Sequence, residues 1–361
     1  MKKLLLLLFA AIGYASTTLG ADTTVTKTLT FSAMAEVYYS FDFAQPSTNS
    51  RPAFVYSHNR HNEVNLNLAY TKAHYQTQFI RANLALATGT YVAANYANEP
   101  GVLKNIYEAN IGFKLTPRHN LWIDAGIMPS HIGFDSANSL NCNTLTRSII
   151  ADNSPYYESG ASLNYTSPKN KWYMALLLLN GWQQIQRTPG NSHINAGTQL
   201  TYTPSSSLTI NYSTFAGNVY PDSIAQLRVF HNLYAIINLN SKINIIADID
   251  YGSQQSSSHN PTWHSWLGAA LIASYRIVPR TTIAARAEYY QDNKSIITTP
   301  LPRGYLHTRA YSANVDYTLG PNVRWRTEAK LYHSTTPLYT TATGTATTTS
   351  YLATTSIAIS F

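Results

Sequence analysis

The 361-residue sequence is poor in charged residues, in cysteine and in long apolar runs. Only 12% of its residues are charged, about half the usual share, which argues against a large water-exposed surface. Cys142 is the only cysteine, so no intrachain disulfide can stabilise the fold. After the first twenty residues no stretch approaches the roughly 18 apolar residues that a membrane-spanning helix needs, and helical periodicity of useful length is lacking. These shortages exclude a helical membrane protein and a disulfide-stabilised domain, and they point to an all-β chain.

The N-terminus predicts export. Lys2 and Lys3 precede an apolar run from Leu4 to Ile12, and small residues follow, with cleavage expected after Ala15 or around Gly20. This is the pattern of a secretory signal peptide, with a buried N-terminal helix as the alternative. We therefore expect a signal peptide at 1–20 and one structural unit at 21–361. The net charge of +8 falls to +6 when the two lysines are removed, and the remaining basic residues are scattered, so no nucleic-acid partner is expected.

The last stretch, Tyr351 to Phe361, alternates with period 2 to its final residue, which predicts a β-strand. Left unpaired, such an edge would invite association with other chains, and closing a barrel removes the edge. An edge strand of a soluble sandwich is the alternative for this segment alone. Strand candidates with the same alternation occur at about 31–43, 64–70, 74–86, 105–116, 120–127, 155–166, 171–183, 193–203, 206–216, 226–239, 242–252, 262–277, 281–291, 305–318, 322–334 and 350–361.

The connections between these segments alternate strictly between short and long. Short turns include Lys72-Ala73 and the turn around Gly320-Pro321, whereas the longest loop is 128–154. Tight periplasmic turns opposite longer external loops are typical of outer-membrane barrels. The sequence thus predicts an all-β fold, a transmembrane antiparallel up-and-down β-barrel of about 16 strands in the outer membrane. A soluble sandwich or β-helix would not readily give this alternation.

The phase of each strand separates lipid-facing residues from residues that face the lumen. Leu227, Leu233 and Leu271 fall on apolar faces, while charges in mid-strand fall on the opposite phase, because a charge against lipid is costly. The predicted pore-lining residues are Arg81, Glu108, Arg276, Arg286, Glu288, Asp316, Arg324, Arg326, Glu328 and Lys330. Both signs are plentiful, so we expect a wet interior with weak ion preference, in which Asp316 lies opposite Arg324. Each charge could stabilise the wall or contact solute.

The loop 128–154 is a candidate constriction. It carries Asp135, Arg147 and Asp152, and if it folds inward its opposed charges would set a transverse field across the bore. Deleting the middle of the loop should then raise the conductance.

Three segments carry a resemblance to a known family. Residues 144–160, from Thr144-Leu145-Thr146-Arg147 to Tyr157-Glu158-Ser159-Gly160, together with Glu36-Val37-Tyr38-Tyr39 and Arg60-His61-Asn62-Glu63, resemble the OmpL-like beta-barrel porin family of Gram-negative outer membranes. The resemblance covers most of the mature chain. It implies an outer-membrane porin, and it carries over no catalytic residue and no defined solute.

Passive diffusion of small hydrophilic solutes or ions is the leading functional hypothesis. The alternative is an outer-membrane enzyme that hydrolyses lipids or peptides, which would need a Ser/His/acid constellation, and the sequence has no Gly-x-Ser-x-Gly motif. No cofactor or metal is expected, because neither metal-ligand spacing nor a phosphate-binding loop is apparent. A third possibility is an adhesin whose Thr-rich segment 335–349 binds a partner. The expected partners are outer-membrane lipid and small hydrophilic solutes, and a homo-oligomer is left open.

Overall fold

The computed structural model describes residues 27–256, 262–298 and 305–361, and the predicted signal peptide at 1–20 lies outside them. Within these ranges sixteen strands close into one antiparallel barrel, in which each strand pairs with its neighbours in the chain. This confirms the predicted fold class. The barrel strands are β1 (Thr28–Asp42), β2 (Val64–Gln76), β3 (Ile80–Thr88), β4 (Ile106–Lys114), β5 (Asn120–Pro129), β6 (Tyr157–Thr166), β7 (Trp172–Leu179), β8 (Asn195–Ser205), β9 (Leu208–Gly217), β10 (Arg228–Asn238), β11 (Ile243–Gln255), β12 (Trp263–Val278), β13 (Thr281–Asp292), β14 (Leu306–Gly320), β15 (Val323–Ser334) and β18 (Thr349–Ser360). The last external loop contains a separate two-stranded hairpin of β16 (Tyr339–Thr340) and β17 (Ala346–Thr347).

The two ends of the chain close the barrel. β18 pairs with β1 from Met34 opposite Ser360 to Asp42 opposite Leu352. The pairing extends to the last residue, since the Phe361 N–H donates to the Ala33 carbonyl oxygen at 2.8 Å. The strand that the sequence predicts at the C-terminus therefore has no free edge.

The outer surface of the barrel is apolar. Leu233, Ile249 and Leu271 are 46%, 46% and 54% exposed, and their neighbours along each strand are more buried. Such exposure of large apolar side chains on successive strands is what a lipid-facing wall requires. No described helix has the length and apolar character to span a membrane.

The first short turn lies later than the sequence predicts. β2 runs through Lys72 and Ala73 to Gln76, and the turn is formed by Thr77 to Phe79. Thr77 stabilises this turn because its Oγ1 accepts hydrogen bonds from the Phe79 and Ile80 N–H groups at 3.3 and 2.9 Å. The predicted turn at Lys72-Ala73 is therefore wrong, and Lys72 belongs to the inner wall.

Several external loops fold into the barrel mouth. They contain the short helices α1 (Thr90–Asn95) and α2 (Ile149–Asp152) and 3₁₀ segments at Gly101–Asn105, Ser139–Asn141 and Asp222–Ile224. Phe54 of the first loop and Ile150 of α2 belong to one apolar cluster with inward aromatic side chains of the wall, such as Phe230 and Trp266. The external half of the interior is thus less polar than the inward charges suggest, because the loops bring their own apolar residues to cover the wall.

Candidate functional site

The third external loop crosses the interior of the barrel. This segment, residues 130–156, is called the inserted loop below. Near its start the His131 Nε2 lies 2.9 Å from the Thr214 carbonyl oxygen of β9, and the Gly133 N–H donates to Asn232 Oδ1 of β10 at 3.2 Å. Further on, the Leu145 N–H donates to Asn314 Oδ1 of β14 at 3.1 Å. Successive parts of the loop are therefore attached to different strands around the barrel.

A group of six charged residues on β13–β15, called the clamped wall, lies beneath this loop. Its members are Arg286, Glu288, Asp316, Arg326, Glu328 and Lys330. They form ion pairs with one another, and the nitrogen–oxygen distance is 2.8 Å in each of the pairs Arg286–Glu328, Lys330–Glu288 and Arg326–Asp316. All six are less than 8% exposed. They point inward, as their phase predicts, and all but Asp316 bind the loop, whereas Asp316 borders a polar cavity at the periplasmic end.

The clamped wall holds the loop through its backbone. Glu328 accepts from the Thr146 N–H at 2.6 Å and from Thr146 Oγ1 at 3.0 Å, while Arg286 donates to the Thr146 carbonyl oxygen at 2.7 Å. Arg326 donates to the carbonyl oxygens of Ser139 and Cys142. Hydrogen bonds with one charged partner are stronger than neutral ones. A buried charge is costly unless its remaining hydrogen-bonding groups are also paired. The buried charges of the clamped wall therefore hold the loop in place, and the loop backbone helps to stabilise those charges.

The short helix α2 packs against strand β12 at a glycine. Its first N–H group, on Ile149, donates to Glu288 Oε2 at 2.5 Å, and its N-cap Ser148 accepts from the Ala151 N–H at 3.3 Å. A Cβ on Gly268 of β12 would lie 2.2 Å from Ile150 Cγ2. Only a residue without a side chain allows this approach, so position 268 helps to fix where the loop sits.

The three predicted loop charges are used mainly within the loop. Arg147 is 1% exposed and donates to the Leu145 carbonyl oxygen at 3.0 Å. Asp135 accepts from Ser148 Oγ at 2.8 Å. Burial raises the pKa of Asp152 to about 7, although the Lys330 and Arg147 charges act to lower it. Arg147 and Asp152 are thus buried, and they do not face each other across an open bore.

A second group of charges, on β2–β5, borders a polar cavity of about 420 Å³. This open wall consists of Lys72, Arg81, Glu108 and Asp124. Lys72 Nζ lies 2.8 Å from Glu108 Oε2, and Arg81 Nη2 lies 2.5 Å from Asp124 Oδ2. The two cationic side chains remain 27% and 30% exposed. Of the sequence-predicted residues, Arg81 and Glu108 thus border this cavity.

Two more cavities continue along the inserted loop. One of about 390 Å³ shares Lys72 and Glu108 with the first cavity and reaches Asn141 of the loop. The other, about 620 Å³ at the periplasmic end, is lined by Asn141, Arg276 and Arg324. Two of the cavities thus lie beside the open wall, and the third lies between loop residues 140–143 and residues of β10–β15 at the periplasmic end.

One predicted pairing is corrected by the strand register. Asp316 is opposite Arg326, its ion-pair partner, whereas Arg324 Nη1 lies 4.0 Å from the Asp316 carboxylate. A register shift between Thr318 and Gly320, beside the turn, displaces the pairing that the sequence suggests.

Several residues of the site were not predicted from the sequence. The sequence predicts a turn at Lys72, and phase gives no signal for its inward position, because a register shift between Leu66 and Leu68 changes which alternate residues of β2 face inward. Asn232 and Asn314, which bind the loop backbone, carry no local sequence signal. The first external loop also contributes, since Arg51 Nε lies 3.2 Å from Asp42 Oδ2 and His58 Nε2 lies 3.3 Å from Glu36 Oε2.

Comparison with known proteins gives one family and many structural neighbours. The family described as "Putative beta-barrel porin-2, OmpL-like" matches residues 28–361. No curated protein matches the sequence. Among solved structures, the outer membrane channel DcaP of Acinetobacter baumannii aligns with TM-score 0.60 at 10% identity over 95% of this chain and 99% of its own. The anion-selective porin from Comamonas acidovorans aligns with TM-score 0.59 at 9% identity, and the trimer form of OmpT of Vibrio cholerae with TM-score 0.58 at 9% identity, each over 93% of this chain and 100% of its own. At these identities the neighbours show the fold.

Proposed function

The chain belongs to the OmpL-like beta-barrel porin family, and on this premise we propose that solutes pass between the inserted loop and the open wall. The protein is an outer-membrane porin that allows passive diffusion of small hydrophilic solutes or ions. The observation that supports this route is a series of three polar cavities, in which the first and second share Lys72 and Glu108 and the second and third share Asn141. The opposite side of the loop is tied to buried charges.

In this proposal the predicted pore-lining residues have two roles. Arg81, Glu108, Arg276 and Arg324 border the polar cavities and would contact solute. Five residues of the clamped wall would position the constriction without contacting solute, whereas Asp316 also borders the periplasmic cavity. Because the charges of the open wall are paired with opposite charges, we expect a weak ion preference. The proposed activity is transport without catalysis.

Deletion of the loop segment 139–147 tests the constriction. It removes the backbone groups bound by Arg326, Glu328 and Arg286 but leaves the ion pairs between the wall residues. Single-channel conductance in a planar bilayer should rise well above that of the unaltered protein. A deletion of 341–345, in the external hairpin β16–β17, is the matched control and should leave the conductance unchanged. Equal conductance of the 139–147 deletion and the unaltered protein would exclude the loop as the constriction.

We also propose that the protein forms a homo-oligomer in the outer membrane. The support is the trimer form of the Vibrio cholerae neighbour, which shares the fold. Native mass spectrometry of the detergent-solubilised protein should give a trimer, and a monomer at all concentrations would contradict the proposal.

A further inference from the structure

One cation lies on the lipid-facing side of the barrel. Among the described residues of the sixteen barrel strands, Arg309 is the only Asp, Glu, Lys or Arg whose side chain is on the outward face. It is exposed between Thr308 and Ala310, which are buried. A lone charge against lipid costs several kcal/mol at the membrane centre and about 0–1 kcal/mol near the interfaces. An outward arginine therefore calls for a location near the headgroups and for an anionic partner.

Arg309 lies at the external end of its strand. It is the fourth residue of β14, which begins at Leu306 after an external loop. Its cross-strand neighbours are Tyr289 and His333. Tyr289 and His307 interact with each other, since the tyrosine hydroxyl lies 3.2 Å from His307 Nε2. Tyrosine at this level is typical of the aromatic belt at the lipid–water interface. The position is thus that of the outer-leaflet headgroups.

The Arg309 guanidinium has no hydrogen-bond or ion-pair partner within the described part of the chain. Arginine binds phosphate through two parallel N–H groups, and His333 beside it offers a further ring nitrogen. The site therefore has the chemistry of a phosphate site that is open toward the lipid.

An apolar groove of about 730 Å³ begins beside this arginine on the outer surface. Its floor consists of the outward alanines Ala235, Ala247, Ala269 and Ala287, on four successive strands. Ala235 pairs with Ala247, and the groove continues across Ala269, the register partner of Tyr289. Side chains of leucine, isoleucine and tyrosine rise on both sides of these alanines. The groove has the size of a ligand site, about 300–1,000 Å³, and suits a flexible hydrocarbon chain.

We propose that this groove binds one acyl chain of a phosphate-bearing lipid of the outer leaflet, with the lipid phosphate on Arg309. A second copy of this chain fits the site less well. It would have to pair Arg309 with a carboxylate, and the outward faces of the described barrel strands carry none. A phosphorylated lipid supplies both the anion and the chain.

Lipid binding to the purified full-length protein in detergent micelles tests the proposal, with bisphosphorylated lipid A as the probe and native mass spectrometry as the readout. R309Q removes the charge, and A269F fills the groove without altering the charge. Each should weaken binding about tenfold, the loss expected for one hydrogen-bonded charge or for one blocked chain site. R309K should retain part of the affinity, because the point charge remains. K169Q, on an exposed periplasmic turn, is the matched control and should bind as the unaltered protein does.

Three outcomes would overturn the proposal. Equal lipid binding by R309Q and the unaltered protein would exclude the phosphate contact. Full displacement of lipid A by inorganic phosphate would show that the groove adds nothing to the affinity. A change of oligomeric state in A269F, with lipid binding unaltered, would assign the groove to a second copy of the chain. Channel conductance of these variants should not change, so a failure here leaves the transport route untouched.

Discussion

The clamped wall and the open wall have the same kind of residues in the same phase, yet their charges lie in different environments. Arg286 and Glu328 form an ion pair in which both side chains are 0% exposed. Arg81 and Asp124 form a pair with a nitrogen–oxygen distance of 2.5 Å, and its arginine side chain is 30% exposed. What differs is the inserted loop, which covers one wall and leaves the other beside a cavity. The role of an inward charge is therefore set by what packs on it, and its strand position alone does not reveal that role.

The energetic consequences of this difference are large. A fully buried pair that loses one partner leaves an uncompensated charge in a low dielectric, at a cost of about 3–5 kcal/mol. A pair whose cation remains partly exposed is screened by water, so the loss of one partner should cost less. Substitutions on the two walls should thus differ in size and in the property they change.

The largest effect is expected for Glu328→Ala on the clamped wall. This change leaves Arg286 and Lys330 with one buried carboxylate, Glu288, and removes both acceptors of Thr146. Loop docking should weaken by about 3–5 kcal/mol. We expect larger and noisier single-channel conductance and faster proteolysis within residues 130–156.

Glu63→Ala is the matched control for this change. Glu63 pairs with Arg60 at 2.7 Å, but both side chains are about one-third exposed. Its conductance and proteolysis pattern should equal those of the unaltered protein. A Glu328→Ala protein that behaves like this control would show that the clamp does not hold the loop.

A smaller effect is expected for Asp152→Asn, and it concerns pH. Burial raises the pKa of Asp152 from 3.8 to about 7, so the packed loop holds a proton that the released loop loses. Since the packed state binds more protons, its stability is complete below about pH 4 and decreases as the pH rises to about 7. Conductance of the unaltered protein should therefore increase between pH 5 and pH 8.

The amide that Asp152→Asn introduces cannot titrate, so the variant should lack this increase. His131, whose pKa burial lowers, acts in the opposite sense, since its neutral form is favoured in the packed loop and is lost in acid. The variant should then keep the opposite change that His131 contributes as the pH falls below the ordinary histidine pKa of about 6.5. An identical pH profile for both proteins would exclude Asp152 as the titrating group.

The sequence predicts the barrel well because its signals are local. Alternation identifies Leu233 and Leu271 as lipid-facing, and short turns alternate with long loops in all sixteen hairpin-joined strands. The inward phase of Arg286 and Glu328 follows from the same alternation. These properties depend on neighbours one or two positions away.

The inner site is less predictable because its contacts are distant in sequence. Thr146 and Glu328, for example, are separated by 182 positions and meet only when the loop folds inward. The glycine at 268 is informative only once Ile150 is known to approach it. The register partner of Asp316 is Arg326 rather than the predicted Arg324, whose Nη1 lies 4.0 Å from Asp316 Oδ2, because a register shift beside the turn is not encoded in the alternation. The predicted residues were thus mostly inward, but the division into two walls required the path of the loop.

The smallest effect is expected for Asp124→Asn on the open wall, and it should change selectivity rather than structure. The substitution leaves Arg81 without its 2.5 Å partner beside the 420 Å³ cavity. Because the Arg81 side chain is 30% exposed, water can solvate the freed charge, and the barrel should lose less stability than with Glu328→Ala. The freed guanidinium should attract anions, so the reversal potential in a salt gradient should shift by a few millivolts toward anion selectivity, with conductance steps of unchanged size. Arg81→Gln removes the positive charge of the pair instead, and it should shift the reversal potential toward cation selectivity. If neither variant shifts the reversal potential, while Glu328→Ala changes the conductance, ions do not pass along the open wall and the proposed route is on the wrong side of the loop.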